Sequence, residues 1–270
     1  MTLNPSRYPR RIVCLTEETT ETLYLLGEQD RIVGISGFTV RPPQARKEKP
    51  KVSGFTSAKI DKILALQPDL VLGFSNLQAD IAAELVRAGI QVHIFNQRGV
   101  EGIFDMITLL GAMIGESGKA EALCSQLLRG LAQIETAAAQ LPRKPKIYFE
   151  EWNEPLISGI GWVSELIHVA GGEDCFPELG KESSAKQRII ADPTEVIRRA
   201  PDIILGSWCG KRFRPEQLRA RPGWETIPAM HHDQVFEIKS PDILQPGPAA
   251  LTDGVQQIHT IVQRWAEAHA

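Results

Sequence analysis

The chain has 270 residues, enough for one large domain or two modest ones. Apolar residues make up 43% and charged residues 23%, which excludes general disorder. Thirty basic residues against thirty-three acidic ones leave a net charge of −3, so neither nucleic-acid wrapping nor a polybasic membrane contact is expected.

No apolar run approaches the ~18 residues of a membrane span. At the start of the chain Arg10 and Arg11 are followed only by Ile12-Val13-Cys14-Leu15 before Thr16-Glu17-Glu18, too little for the apolar core of an export signal. Cys14, Cys124, Cys175 and Cys209 lie far apart, with neither a C-x-x-C pair nor zinc spacing, which leans toward free thiols, although four cysteines also suffice for two disulfides. Both observations place the chain as written in the cytoplasm. Removal of a leader ahead of it would instead make it periplasmic.

Short apolar runs alternate with helical patterns, the mark of an α/β fold with mainly parallel strands. In chain order, Arg11–Leu15 reads as a strand, and 18–26 as a helix capped by Gly27. Residues 31–36 read as a strand, 59–66 as a short helix and 69–73 as a buried strand. Leu77, Ile81 and Leu85 form the apolar stripe of the next helix, which Gly89 stops. A strand at 91–95 and a helix at 102–114 follow. From Ser117 to Leu141 the apolar positions Leu123, Leu127, Leu131, Ile134, Ala138 and Leu141 recur at steps of three or four, which predicts one long helix closed by Pro142 and Pro145. The alternation then restarts at 146–150, 162–170, 194–199, 202–206 and 234–238. A last helix carries Leu251, Val255, Ile258, Val262 and Trp265.

The halves echo each other. Pro68-Asp69-Leu70-Val71-Leu72-Gly73 matches Pro201-Asp202-Ile203-Ile204-Leu205-Gly206 in residue type, and an aromatic, Phe74 or Trp208, follows each within two residues. Leu23-x-x-x-Gly27-x-x-Asp30 has its counterpart in Ile167-x-x-x-Gly171-x-x-Asp174. The expected architecture is therefore α/β, with two Rossmann-like lobes of mainly parallel sheet joined by one long α-helix and a ligand cleft between them. Residues 1–116 form the N-terminal lobe, 117–141 the connecting helix and 142–270 the C-terminal lobe.

Enzyme motifs are mostly missing. There is no P-loop and no G-x-S-x-G elbow. Gly159-Ile160-Gly161 lacks its third glycine, which is Ser164, and lacks the acidic partner of a dinucleotide site. His231-His232 are sequence neighbours that diverge on a strand or helix, so they read as an exposed loop pair, and no metal site is expected. Glu150-Glu151 read as cleft-lining or solvated carboxylates rather than an acid/base pair. Phe38, Phe74, Phe95, Trp152 and Trp208 fall at or just beyond the carboxyl ends of predicted strands, with Phe55 in a loop before a helix. That sheet edge is where open α/β folds bind ligands, and such rings suit a large flat ligand held by contact area.

Over nearly its whole length the chain resembles the substrate-binding proteins of ABC importers for cobalamin, iron-siderophores and haem. The likeness is carried by Arg11–Leu15 with Thr20-Glu21-Thr22-Leu23-Tyr24-Leu25-Leu26-Gly27, by Asp30-Arg31-Ile32-Val33-Gly34, by 59–72 and by Pro246-Gly247-Pro248. Within that group it is most similar to the cobalamin binders. The resemblance implies non-enzymatic binding of a cobamide-type ligand, cobalamin or cobinamide, with neither cofactor nor catalytic residue. It implies ligand contacts from Phe38, Phe55 and Phe74 in the N-terminal lobe, and from Trp152, Arg188, Trp208 and Gln245 in the C-terminal one. It also implies a permease partner met through one exposed acid per lobe, near Ala79-Asp80 and at Glu216, and otherwise a monomer. A soluble corrinoid carrier is the variant of this reading, and a haem or iron-siderophore binder the alternative, kept open by Arg188, Arg212 and Arg214. A rival of another class is a cytoplasmic enzyme of corrinoid metabolism that uses Cys209, Glu150 and Glu151.

Overall fold

The computed structural model describes residues 8–270. The opening stretch 1–7, on which the reading of the chain start partly rests, lies outside them. The chain divides into two compact units. One comprises Met1–Gln97 and Glu101–Gln126, the other Arg98–Val100 and Leu127–Ala270.

The first unit is built on a five-stranded sheet of order β3-β2-β1-β4-β5. Its strands are β1 (Ile12–Cys14), β2 (Ile32–Ser36), β3 (Lys51–Ser53), β4 (Leu70–Phe74) and β5 (Val92–Phe95). Every pairing is parallel, so all five carboxyl ends lie on one edge. The central strands β1 and β4 are buried at every position, as a parallel sheet covered on both faces requires. The predicted elements recur to within a residue or two. β3 and the helix Pro43–Glu48 are additions, both too short to show a period. Leu77 departs from expectation. It is 60% exposed in the 3-10 turn Asn76–Gln78, and only Ile81 and Leu85 form the buried stripe of Ala79–Arg87.

The second unit has a sheet of order β10-β9-β6-β7, with β8 also paired to β6. Its strands are β6 (Lys146–Asn153), β7 (Leu156–Ser158), β8 (Glu173–Asp174), β9 (Ile203–Gly206) and β10 (Val235–Glu237). β6 runs parallel to β8 and β9, and β9 to β10, while β7 folds back antiparallel on β6.

The long helix is Ser117–Ala138, 22 residues or about 33 Å. Leu123, Leu127, Leu131, Ile134 and Ala138 are all buried along it. The division between the units falls within this helix, at Gln126 and Leu127.

The internal repeat has a structural meaning. β4 lies beside β1, and β9 beside β6, both in parallel. Gly27 and Gly171 both adopt positive φ, +74° and +96°, just past a helix end, where only glycine avoids a Cβ penalty.

Candidate functional site

In the first unit the carboxyl edge is organised by Gln78, whose side chain is fully buried. Its Oε1 accepts the Phe74 backbone N–H at 2.9 Å, and its Nε2 donates to the Phe55 carbonyl at 2.8 Å. One amide thus ties the end of β4 to the loop after β3. Phe38 lies 61% exposed after β2. A Cβ on Gly54, next to Phe55, would sit 3.6 Å from the Phe38 ring. Arg46 donates to the Gly37 and Thr39 carbonyls at 2.8 and 3.1 Å, pinning both sides of Phe38. The structure therefore gathers Phe38, a half-buried Phe55 and a nearly buried Phe74 (8% exposed) along one edge.

Behind this edge the helix Glu17–Leu25 begins with two buried carboxyls, Glu17 and Glu18, at 2% and 1% exposure. Glu17 accepts the Val40 N–H, and Glu18 accepts the Thr16 hydroxyl at 2.6 Å. Burial pushes the Glu17 pKa up to about 8 and that of Glu18 to about 7. A helix N-terminus favours carboxylate charge, but here desolvation outweighs it.

In the second unit Trp152 is half-buried at the end of β6, and its Nε1 donates to the Glu154 carbonyl at 2.8 Å. Trp208, just past β9, is 2% exposed. It lies edge-on to Phe213 at 5.0 Å, and its Nε1 donates to Glu150 at 3.0 Å. Its ring belongs to the core of this unit. The Lys211 ammonium lies 4.1 Å over the Trp152 ring and 5.0 Å from that of Trp208. Gln245 is half-buried between the helix Ser240–Ile243 and the π-helical turn Ala250–Gly254. Arg188 is 1% exposed, and a bidentate pair to Glu151 at 2.6 and 2.9 Å occupies its guanidinium.

Of the two roles expected for Glu150 and Glu151, cleft-lining or solvated, the solvated one does not hold. Neighbours on a strand face opposite ways, and each finds its own arginine. Glu150 is 0% exposed and pairs with Arg221 at 2.6 and 3.0 Å, while it also accepts the Tyr148 hydroxyl at 3.1 Å. Both carboxylates are consumed by structural pairs, which removes them as acid/base candidates. The Cys209 thiol is pushed up by local desolvation and by the charge of Glu151, the reverse of what a nucleophile needs. Cys14 and Cys175 are buried, each pushed up to about 12, and all four cysteines are free thiols.

His231 closes the short helix Pro228–His231, and its ring meets that of His232 edge-on at 4.8 Å. Among the described residues no group of three histidine, cysteine or acidic side chains is arranged to hold a metal. No described helix is long and apolar enough to cross a membrane. Asp80 and Glu216, the expected partner contacts, are both exposed.

Sequence reasoning missed Gln78, Arg46 and Lys211. Each acts through backbone or rings far off in sequence, and only the glycine at 73, small enough to admit the Gln78 amide, left a trace.

A parallel α/β unit with an aromatic carboxyl edge, and a second one built around the same repeat with its two adjacent carboxylates held in structural pairs, are the parts of a two-unit α/β fold with ligand-facing sheet edges. The chain belongs to the periplasmic binding protein family, which it matches over residues 12–241. A vitamin B12-binding protein of Vibrio campbellii is 28% identical to it over 264 residues, covering 94% of this chain and 91% of the relative. An uncharacterized ABC transporter substrate-binding lipoprotein of Bacillus subtilis is 25% identical over 261 residues, 93% of this chain and 79% of its own. The apo structure of the periplasmic heme-binding protein RhuT from Roseiflexus sp. RS-1 shares the fold, with a TM-score of 0.79 at 22% identity, covering 94% of this chain and 99% of that one.

Proposed function

We propose that this chain is the substrate-binding protein of an ABC importer and that it binds a corrinoid, cobalamin or cobinamide, without chemistry. The observation that carries the reading is the set of rings at the carboxyl edges of the two sheets. Phe55 and Phe74 are tied together through Gln78 in one unit, with Phe38 held beside them by Arg46, and Trp152 stands on the edge of the other. A flat macrocycle with amide side chains suits rings that supply area and backbone groups that supply hydrogen bonds. The Vibrio campbellii relative supports the corrinoid, and the Bacillus subtilis lipoprotein supports the importer role and a place outside the cytoplasm. In this reading Gln245 touches the ligand directly. Arg188 and Trp208 act from behind, since both are buried and the two terminal nitrogens of Arg188 and the Trp208 Nε1 are engaged within the unit.

Haem or an iron chelate is the second reading, favoured by the fold shared with the heme-binding protein. Visible spectra and calorimetric titration with cyanocobalamin, dicyanocobinamide and haemin separate the two. Phe55→Ala and Trp152→Ala are each expected to weaken binding of the true ligand by about 1–3 kcal/mol with little loss of stability. Unchanged affinity in both variants would overturn the site, and no binding of any of the three would overturn the function.

A further inference from the structure

The Lys211 ammonium is held in place by a chain of contacts and has no carboxylate partner among the described residues. Gln217 accepts from the Asn153 side-chain amide at 3.1 Å, which turns the Asn153 oxygen toward Lys211, and Lys211 donates to it. The ammonium rests on the faces of Trp152 and Trp208. Trp208 is in turn fixed by Glu150, and Glu150 by Arg221. The carboxylates that a lysine here would be expected to seek, Glu150 and Glu151, are already neutralised by Arg221 and Arg188. The neighbouring Arg212 and Arg214 are exposed and make no ion pair among the described residues. The carboxyl edge of this sheet thus keeps a pre-positioned positive charge with donors to spare, on Trp152, the ring assigned to ligand contact, and on the core ring of Trp208 behind it.

We propose that Lys211 selects ligands that carry an anionic group, a carboxylate or a phosphodiester, on the side they present to this sheet edge. The inference rests on the ligand-binding reading given above, corrinoid or haem, and deepens it. The cation–π platform sets where the ammonium stands, so an anion meets it without the cost of ordering a free lysine. An uncharged macrocycle gains only the area of the rings.

The test uses the full chain with three probes. Cyanocobalamin carries a phosphodiester, haemin carries two propionates, and dicyanocobinamide carries neither. Lys211→Met keeps the apolar stem on the rings and removes the charge, and Lys211→Arg restores it. Lys211→Met is expected to weaken whichever anionic probe binds by about tenfold and to flatten the fall of its affinity with salt. Dicyanocobinamide should shift by less than twofold, and Lys211→Arg should recover most of the loss. Equal losses for charged and uncharged probes, or no loss for an anionic probe, would overturn the role of Lys211 while leaving the binding function standing. Failure of the unmodified chain to bind any probe would overturn both.

Discussion

Gln78 shows how one buried amide shapes a binding edge. Its two hydrogen bonds fix the Phe74 backbone and the Phe55 carbonyl, which lie 19 residues apart in sequence. Gln78→Leu fills nearly the same volume but leaves an N–H and a carbonyl without this partner at the sheet edge. The expected cost is about 1–3 kcal/mol of stability, with weaker ligand binding because Phe55 loses its anchor. Gln78→Glu keeps the acceptor for Phe74 and loses the donor to Phe55, so its affinity should fall further than its melting temperature predicts. Thermal melts and titrations of the two variants check this. A Leu variant as stable as the parent would show that the amide is incidental.

At the scale of elements, the glycines that end the repeated hexapeptides make room for a crossing side chain. A Cβ on Gly73 would fall 2.5 Å from the Gln78 amide oxygen, and one on Gly206 would fall 1.9 Å from the Phe213 ring. Gly206→Ala is expected to cost about 1–3 kcal/mol or more through overpacking. Gly130 lies within the helix Ser117–Ala138, and an added Cβ there meets nothing within 4 Å, so Gly130→Ala should stabilise by about 0.5–1 kcal/mol. Urea unfolding of the two variants should move in opposite directions, and a neutral Gly206→Ala would refute the crossing role. These elements also mark how far the sequence could be read. Repeats, buried strands and the long helix were legible because hydrophobic period survives any context. The helices Pro177–Gly180, Pro215–Arg219 and Pro228–His231 were not, since four or five residues show no period. Nor were the fates of Glu150 and Glu151, whose arginines arrive from 71 and 37 residues downstream. At the site, aromatic residues at strand ends could be read locally, whereas the amide and ammonium that organise them could not.

For the molecule as a whole, the buried pair Glu17 and Glu18 sets a pH dependence of stability that runs against the usual carboxylate pattern. One oxygen of each, Glu17 Oε1 and Glu18 Oε2, is buried without a hydrogen-bond partner among the described residues, and no described cation pairs with either. Around them stand Thr16, the Val40 and Arg41 backbone, and Glu21, which is itself paired with Arg41. Unfolded, both carboxyls titrate near 4.5; folded, they hold their protons up to about 8 and about 7. A folded-state pKa raised in this way contributes stability that is fully present below 4.5 and is lost as pH rises through the folded values. Protons held that much more tightly correspond to roughly 3–5 kcal/mol each. Carboxylates whose pKa is lowered by partners, such as Glu178 beside Arg199, stay ionised in both states from pH 5.5 to 8.5 and add nothing to the slope. The half-buried His93, with its pKa lowered by desolvation, opposes the trend below its unfolded value near 6.5, so the measurement is a comparison of variants. Urea midpoints at pH 5.5 and 8.5 should show the parent losing stability toward alkaline pH. Glu17→Gln and Glu18→Gln, which keep an oxygen acceptor and cannot ionise, should each lose markedly less. A parent chain no less stable at pH 8.5, or variants that fall as far as it does, would show that these carboxyls ionise freely within the fold.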